Sequence, residues 1–178
     1  MLMRHHPALV LAVVGTVIAV GAQPHLDEYQ VKAAFLYNFA KFVDWPPQGF
    51  KDATDPIAIC IAGETPIYAQ LDSAVAGKMA GNRSFAVRRV SDAQHTDGCH
   101  ILFIGLAEQK RMPALLAGVR KWGVLTVGET PEFIPNGGVV NFKLESGRVR
   151  FEINLEAAEQ EKLRISSKLL SLAEIVKR

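Results

Sequence analysis

Residues 140–155 have the sequence VNFKLESGRVRFEINL, in which apolar and polar side chains alternate on either side of a short turn. Alternation with a period of two is typical of a strand that buries one face, and Glu145-Ser146-Gly147 is typical of a tight turn between two such strands. The stretch therefore predicts an antiparallel hairpin. Its polar face carries Arg150, Glu152 and Asn154, which are free to contact a helix, a partner or a ligand.

Upstream of the hairpin, strand patterns alternate with helical ones. Short apolar runs closed by turn residues predict buried strands, and apolar residues three or four apart predict helices. The predicted fold class is therefore α/β, a mixed, largely parallel sheet with helices on both faces and a C-terminal antiparallel hairpin. The predicted strands are residues 57–62, 85–90, 99–104 and 124–127, and the helices between them are residues 68–75 and 109–121.

Two helical segments flank this alternating part. Residues 26–44 contain neither glycine nor proline and repeat apolar side chains at helical spacing. Trp45-Pro46-Pro47 follows, and the two prolines predict that the helix ends there. At the other end of the chain, Asn154 predicts the start of one short helix, and Ser166 or its neighbour predicts the start of a last helix running through Val176.

The first twenty-two residues have the composition of a secretory signal peptide. A basic Arg4 precedes an apolar run over residues 8–20, and the small residues Gly21 and Ala22 offer a cleavage site. The run is shorter than the roughly 20 residues that a membrane-spanning helix needs. We therefore expect residues 1–22 to be removed. Residues 23–178 would then form one soluble domain in the periplasm with no stable membrane anchor.

The charge balance excludes some classes of partner. The mature chain has 19 Lys and Arg against 18 Asp and Glu, because Arg4 leaves with the signal peptide. Binding of nucleic acid or of anionic lipid depends on a surplus of basic residues that neutralise many phosphates. Neither is therefore expected as the main partner.

The chain contains two cysteines, Cys60 and Cys99. An even count in an exported protein favours a disulfide bond, because the periplasm is oxidising. Two buried free thiols are the alternative. A metal site is disfavoured, because neither cysteine has a second Cys or His at ligand spacing apart from the adjacent His100.

Motifs for catalysis or cofactor binding are missing from the sequence. No serine lies in a Gly-x-Ser-x-Gly elbow, and the histidines lack the spacing of a helical metal site. Gly137-Gly138 precedes a strand rather than a helix, which favours a strand-entry turn over a phosphate loop. Glu152 and Glu156 lie four apart, but one is on a strand and the other in the next helical turn, so surface charge is the default. These absences favour a binding protein without catalytic residues, metal or cofactor.

Two long motifs resemble the YfiR-like family of periplasmic proteins. Residues 31–46, VKAAFLYNFAKFVDWP, resemble the opening signature of that family. Gly137-Gly138, the stretch RVRFEINL at residues 148–155 and the stretch from residue 163 to residue 173 resemble its C-terminal block. Together the motifs span nearly all of the mature chain.

Resemblance to this family implies a periplasmic regulator rather than an enzyme. The soluble inhibitor would bind the periplasmic sensory domain of an inner-membrane diguanylate cyclase and hold it inactive, lowering cyclic di-GMP signalling and biofilm formation. An outer-membrane lipoprotein would draw the inhibitor away, and a homodimer is left open. Some members carry a second cysteine pair near the glycine turn. This chain does not, so redox control by two disulfides does not carry over.

The resemblance also implies a ligand pocket in the stretch Leu163-Arg164-Ile165-Ser166. Related proteins use its basic position for nucleotides or aromatic metabolites, which makes Arg164, Ser166 and Arg150 the candidate ligand-binding residues. A periplasmic small-ligand sensor is therefore the alternative function. The simpler interpretation is that Arg164 is a solvated side chain beside a helix cap.

The candidate partner-binding residues are Trp45, Phe39 and Glu152. An aromatic stripe at helical spacing, here Phe35, Phe39 and Phe42, is usually core, but an exposed part of it would anchor an interface. Trp45 is the strongest candidate of this group, since the prolines fix it just past the helix end. Glu152 lies on the polar face of the predicted hairpin.

Overall fold

The structure is a computed structural model that describes residues 24–177, with side chains described from residue 28 onward. The predicted signal peptide, residues 1–22, lies outside this range. The helices are α1 Pro24–Phe42, α2 Ile67–Val75, α3 Met112–Val119, α4 Leu155–Gln160 and α5 Ser167–Leu170. The strands are β1 Val43–Asp44, β2 Ile57–Ala62, β3 Phe85–Val90, β4 Ile101–Ile104, β5 Leu125–Gly128, β6 Val140–Glu145, β7 Arg148–Asn154, β8 Arg164–Ile165 and β9 Glu174–Val176.

A seven-stranded sheet has the order β3-β2-β4-β5-β6-β7-β9. The first five strands of this order run parallel, β7 is antiparallel to β6, and β9 is parallel to β7. A second, two-stranded antiparallel sheet joins β1 to β8. The predicted fold class, a mixed and largely parallel sheet with a C-terminal hairpin, is confirmed.

Helices cover both faces of the large sheet. Strand β2 is buried at every position, and its side chains point alternately to the two faces. Ile59 packs in one apolar cluster with Leu36 of α1 and Leu71 of α2. Cys60 packs in a second cluster with Leu115 of α3. The continuous apolar run of β2 is thus explained by a core on each side of the sheet.

The hairpin is formed as its alternation predicts. Phe142 lies opposite Phe151 in the register, and both rings contact the aromatic side chains of α1. Ser146 and Gly147 connect the strands with φ angles of 48° and 74°. Positive φ at both central residues matches the right-handed twist of a two-residue hairpin.

Two helices end earlier than predicted, because the residues that follow them pair as β-strands. Helix α1 stops at Phe42, since Val43 and Asp44 pair with β8 instead of continuing the helix to residue 44. The predicted last helix through Val176 is wrong beyond α5. Residues 174–176 form β9, which adds to the free edge of β7 and satisfies its backbone groups.

The glycine pair before β6 makes room for a phenyl ring. Phe133 is fully buried, and a side-chain carbon at Gly128 or Gly138 would overlap its ring. Gly138 N–H also donates to the Phe133 carbonyl oxygen at 3.0 Å. The pair therefore forms the turn that leads into β6, and Gly138 is required by close packing against Phe133 rather than by a ligand.

The lysine of the opening motif is buried in an ion-pair network. Lys32 Nζ lies 2.6 Å from Glu129 Oε2 and also contacts Glu28, its neighbour one helical turn away. Burial lowers the pKa of Lys32, but hydrogen bonds to the two carboxylates outweigh it and hold that pKa above its usual value. Glu129 also accepts a hydrogen bond from Leu106 N–H at 2.8 Å. The network ties α1 to the loops that follow β4 and β5.

Candidate functional site

The predicted ligand residues Arg164 and Ser166 lie in and after β8. The Arg164 side chain is 85% exposed, and its Nη2 atom is 3.6 Å from Asp44 Oδ2. The Ser166 hydroxyl caps α5 by accepting a hydrogen bond from Leu169 N–H at 3.3 Å. The pair therefore corresponds to a solvated arginine beside a helix cap.

Arg150 lies elsewhere. It is exposed on β7 opposite Lys143, on the sheet face that points away from α1. Arg164 instead lies near Asp44, just after the end of α1, and α1 packs on the opposite face of the large sheet. The structure therefore does not bring the three predicted ligand residues together into one pocket.

The two aromatic partner candidates have structural contacts. Phe39 is fully buried between α1 and the hairpin, so the prediction that it contacts a partner is wrong. Trp45 is half-buried, and its Nε1–H donates to the carbonyl oxygen of His100 at 3.0 Å. The indole N–H of Trp45 therefore stabilises the fold through this hydrogen bond, while part of the ring stays accessible.

His100 fixes the segment that follows Trp45. Its Nδ1 atom accepts a hydrogen bond from Ala58 N–H at 3.0 Å, and its Nε2 atom is 2.9 Å from the Gly49 carbonyl oxygen. This pattern requires the neutral tautomer with the proton on Nε2. Burial lowers the pKa of His100, which keeps the ring neutral. The Phe50 ring stacks on it with centroids 4.2 Å apart.

Glu152, the remaining partner candidate, belongs to a charged surface that we call the hairpin face. It consists of five side chains that point away from α1: Asn141, Lys143, Arg150, Glu152 and Glu174. Lys143 Nζ contacts Glu174 and lies 3.6 Å from Glu152 Oε2. Hydrogen bonding to Glu174 raises the pKa of Lys143. Asn141 Nδ2 donates to Glu152 Oε1 at 3.0 Å, so the Glu152 carboxylate is held in place.

Sequence reasoning missed the Trp122 turn, residues 120–123. The prediction places residue 121 inside a helix, but α3 ends at Val119 and leaves Trp122 on a loop with 70% of its surface exposed. The signal was present in the sequence, since a tryptophan stands between basic residues and a glycine.

A buried carboxylate braces this turn. Lys121 and Gly123 have φ angles of 67° and 72°, which is an unfavourable conformation for lysine. The backbone N–H groups of both residues donate to Glu161, at 2.7 Å and 2.9 Å. Glu161 itself is only 9% exposed. Its carboxylate therefore holds the Trp122 side chain in solvent.

Two grooves flank the exposed indole. The Trp122 groove, of about 390 Å³, lies between the turn, Pro46 and Lys162, and a second groove of about 280 Å³ reaches from Trp122 towards His100. Pro46 packs tightly under the turn, since a side-chain carbon at Gly123 would come within 2.9 Å of its Cγ atom. Pro46 therefore forms a closely packed wall of the Trp122 groove.

No helix within residues 24–177 combines the length and apolar character needed to cross a membrane. Among the same residues, no cluster of three His, Cys, Asp or Glu side chains is arranged to hold a metal ion. Cys60 and Cys99 form a disulfide bond, as predicted from their even count.

Comparison with solved structures finds related folds at low sequence identity. A conserved domain protein from Vibrio cholerae matches with a TM-score of 0.57 and 8% identity. The ABC domain in complex with L-Trp from Streptococcus pneumonia matches with a TM-score of 0.55 and 8% identity. Each match covers 84% of this chain and 60% of the other, so the chain spans less than two thirds of either structure.

Sequence comparison gives the more specific result. No curated protein sequence matches the chain. A sequence model of the YfiR/HmsC-like family matches residues 29–174, which include nearly all of the elements described above. The chain therefore belongs to the YfiR/HmsC-like family.

Proposed function

We propose that this protein binds the periplasmic sensory domain of an inner-membrane diguanylate cyclase and inhibits the enzyme. The observation that carries the proposal is the family match over residues 29–174, because the YfiR/HmsC-like family consists of periplasmic regulators that are not catalytic. Cleavage of residues 1–22 on export is part of the proposal. The expected result of binding is less cyclic di-GMP and less biofilm.

Position relative to the membrane determines how such an inhibitor acts. A protein in the periplasm cannot reach a cytoplasmic active site, so it must act through the outer part of the receptor. It shifts the receptor towards the inactive state only as far as it binds that state more tightly than the active one. An outer-membrane lipoprotein that competes for the inhibitor would reverse this shift.

The hairpin face is the proposed contact surface. Charged side chains that are already held in place lose little freedom when a partner binds, and they select partners of complementary charge. Glu152 meets this condition through Asn141 and Lys143, while Arg150 extends into solvent beside them. Glu152 was a predicted partner-binding residue and Arg150 a predicted ligand-binding residue, whereas Phe39 is core and Trp45 donates a hydrogen bond within the fold.

The small-ligand sensor is the weaker proposal. The residues expected to form its pocket, Arg164, Ser166 and Arg150, lie on different parts of the fold. Isothermal titration calorimetry with nucleotides and with L-tryptophan separates the two functions. Binding by the wild type that is lost in Arg164→Ala would favour the sensor.

Deletion and complementation test the inhibitor. Deleting the gene should raise cellular cyclic di-GMP, measured by mass spectrometry, and the wild-type gene should restore the low level. Glu152→Lys should fail to restore it, because charge reversal disrupts the hairpin face. Glu159→Lys is the control for charge reversal away from the hairpin face, since Glu159 is an exposed glutamate on α4, and circular dichroism of both purified variants should show that they are folded. An unchanged cyclic di-GMP level after deletion in a host with the cognate cyclase would contradict the proposal.

A further inference from the structure

We propose that the Trp122 groove binds an extended acidic segment of a partner protein, with Trp122 as the hydrophobic anchor. The segment carries at least one bulky apolar side chain flanked by carboxylates. This site is distinct from the hairpin face, because the Trp122 turn precedes β5 whereas the hairpin face lies on β6, β7 and β9. The proposal therefore does not depend on the identity of the cyclase.

Exposure of Trp122 is the first observation. Tryptophan is among the most buried side chains on average, yet 70% of this one is in solvent. Tryptophan is also enriched among the few residues that provide most of the binding energy in protein interfaces. The exposed indole lines two neighbouring grooves, so a partner can contact it from either groove.

Construction of the turn is the second observation. Glu161 is buried, and its two carboxylate oxygens accept hydrogen bonds from the backbone N–H groups of Lys121 and Gly123. Lys162, the residue after Glu161, also has a positive φ angle, of 56°. Two lysines are thus held in a disfavoured conformation around one exposed tryptophan. Such strain persists only where surrounding contacts impose it, and it is concentrated at functional sites.

Charge identifies the occupant. Arg120, Lys121 and Lys162 line the groove, and none of them takes part in an ion pair with another residue of the described range. The carboxylate of Glu161 is already occupied by the two backbone N–H groups. The groove therefore has three free cations at its edge, and carboxylates are the complementary groups.

Size favours a polypeptide segment over a small anion. The groove of about 390 Å³ accommodates an apolar side chain together with flanking backbone, within the range of ligand pockets. A small ligand in this groove would leave the neighbouring groove of about 280 Å³, which Trp122 also lines, empty. A chain that crosses the turn occupies both grooves.

A phage-displayed library of random linear peptides tests the proposal on the purified mature protein. Panning should enrich peptides in which Asp or Glu flank an aromatic or large aliphatic residue. Affinity of the enriched peptides is then measured by fluorescence anisotropy. Trp122→Ala should weaken binding by about 30-fold or more, as expected for an interface hot spot. Leu172→Ala, which truncates a different exposed apolar residue, is the control and should not change the affinity.

Charge and location are tested separately. The double variant Arg120→Glu, Lys162→Glu should lose binding of the acidic peptides, and the wild type should bind them less tightly as salt is raised. In nitrogen–proton NMR spectra, the peptides should shift the indole resonance of Trp122 more than that of Trp45, whose Nε1–H is already bonded to His100. Circular dichroism should confirm that each variant is folded.

Three results would overturn the proposal: enrichment of neutral or basic peptides, no enrichment above the empty support, or acidic peptides that bind Trp122→Ala as tightly as the wild type. None of these outcomes bears on cyclic di-GMP levels. A failure of this proposal is therefore distinguishable from a failure of the proposed inhibition of a cyclase.

Discussion

Replacement of Glu161 should unfold the Trp122 turn and destabilise the whole domain. The carboxylate accepts two hydrogen bonds from backbone N–H groups, at 2.7 Å and 2.9 Å, in a site that is 9% exposed. Hydrogen bonds to a charged group contribute about 1.5–3 kcal/mol each. Glu161→Ala removes both and leaves two donors without a partner, so we expect a loss of about 3–5 kcal/mol. Glu161→Gln keeps one acceptor and should lose about half as much.

Urea denaturation of the purified variants measures this loss. Glu159→Gln is the control, because Glu159 lies two residues before Glu161, near the end of α4, and is exposed; this variant should unfold like the wild type. Hydrogen exchange should show that the amides of Lys121 and Gly123 lose protection in Glu161→Ala. If that variant unfolds at the wild-type urea concentration with both amides still protected, the carboxylate does not brace the turn and the reasoning is refuted.

Three further predictions concern other contacts of the fold. Gly138→Ala should destabilise the domain by about 1–3 kcal/mol in urea, since the added methyl overlaps the buried Phe133 ring, whereas Gly49→Ala adds a methyl in open space at a position without a positive φ angle and should change stability little. Burial lowers the pKa of His100 in the folded protein below its ordinary value of 6.5, so below that pH the unfolded chain binds a proton that the folded protein does not. Stability should therefore fall as the pH drops below 6.5, by at most about 1.4 kcal/mol per pH unit. Thermal melts at pH 7.5 and 5.5 check this, and His100→Asn should flatten the difference. Cys60→Ser removes the disulfide bond between residues 39 apart and should cost about 3–4 kcal/mol. A variant that melts at the same temperature as the oxidised wild type would contradict this.

Local patterns carried most of the fold prediction. The hairpin could be predicted because alternation and turn residues lie within sixteen consecutive positions, and no distant contact is needed to choose between its two faces. Strand β2 could be predicted for a similar reason, since a continuous apolar run suits a parallel strand covered on both sides. Strand β9 could not, because residues 174–176 become a strand only when the edge of β7 is there to pair with them.

The candidate site was less accessible to sequence reasoning. Helical spacing places Phe35, Phe39 and Phe42 on one stripe, but it does not show which of them meets the hairpin and which meets solvent. The brace of the Trp122 turn depends on Glu161, which is 40 residues from Lys121 in sequence. A contact over that distance leaves no local signal, and only the isolated tryptophan marks the turn.

Trp45 and Pro46, at the end of the motif formed by residues 31–46, have a structural role. Trp45 donates a hydrogen bond to the backbone of His100 just before β4, while Pro46 packs against Gly123 two residues before β5. His100 in turn binds Gly49, so the segment after α1 is anchored at both ends. The end of the motif therefore supports the Trp122 turn, and its last residue, Pro46, lines the Trp122 groove. Any change that loosens this segment should also loosen the Trp122 turn, since both rest on the same two strand ends.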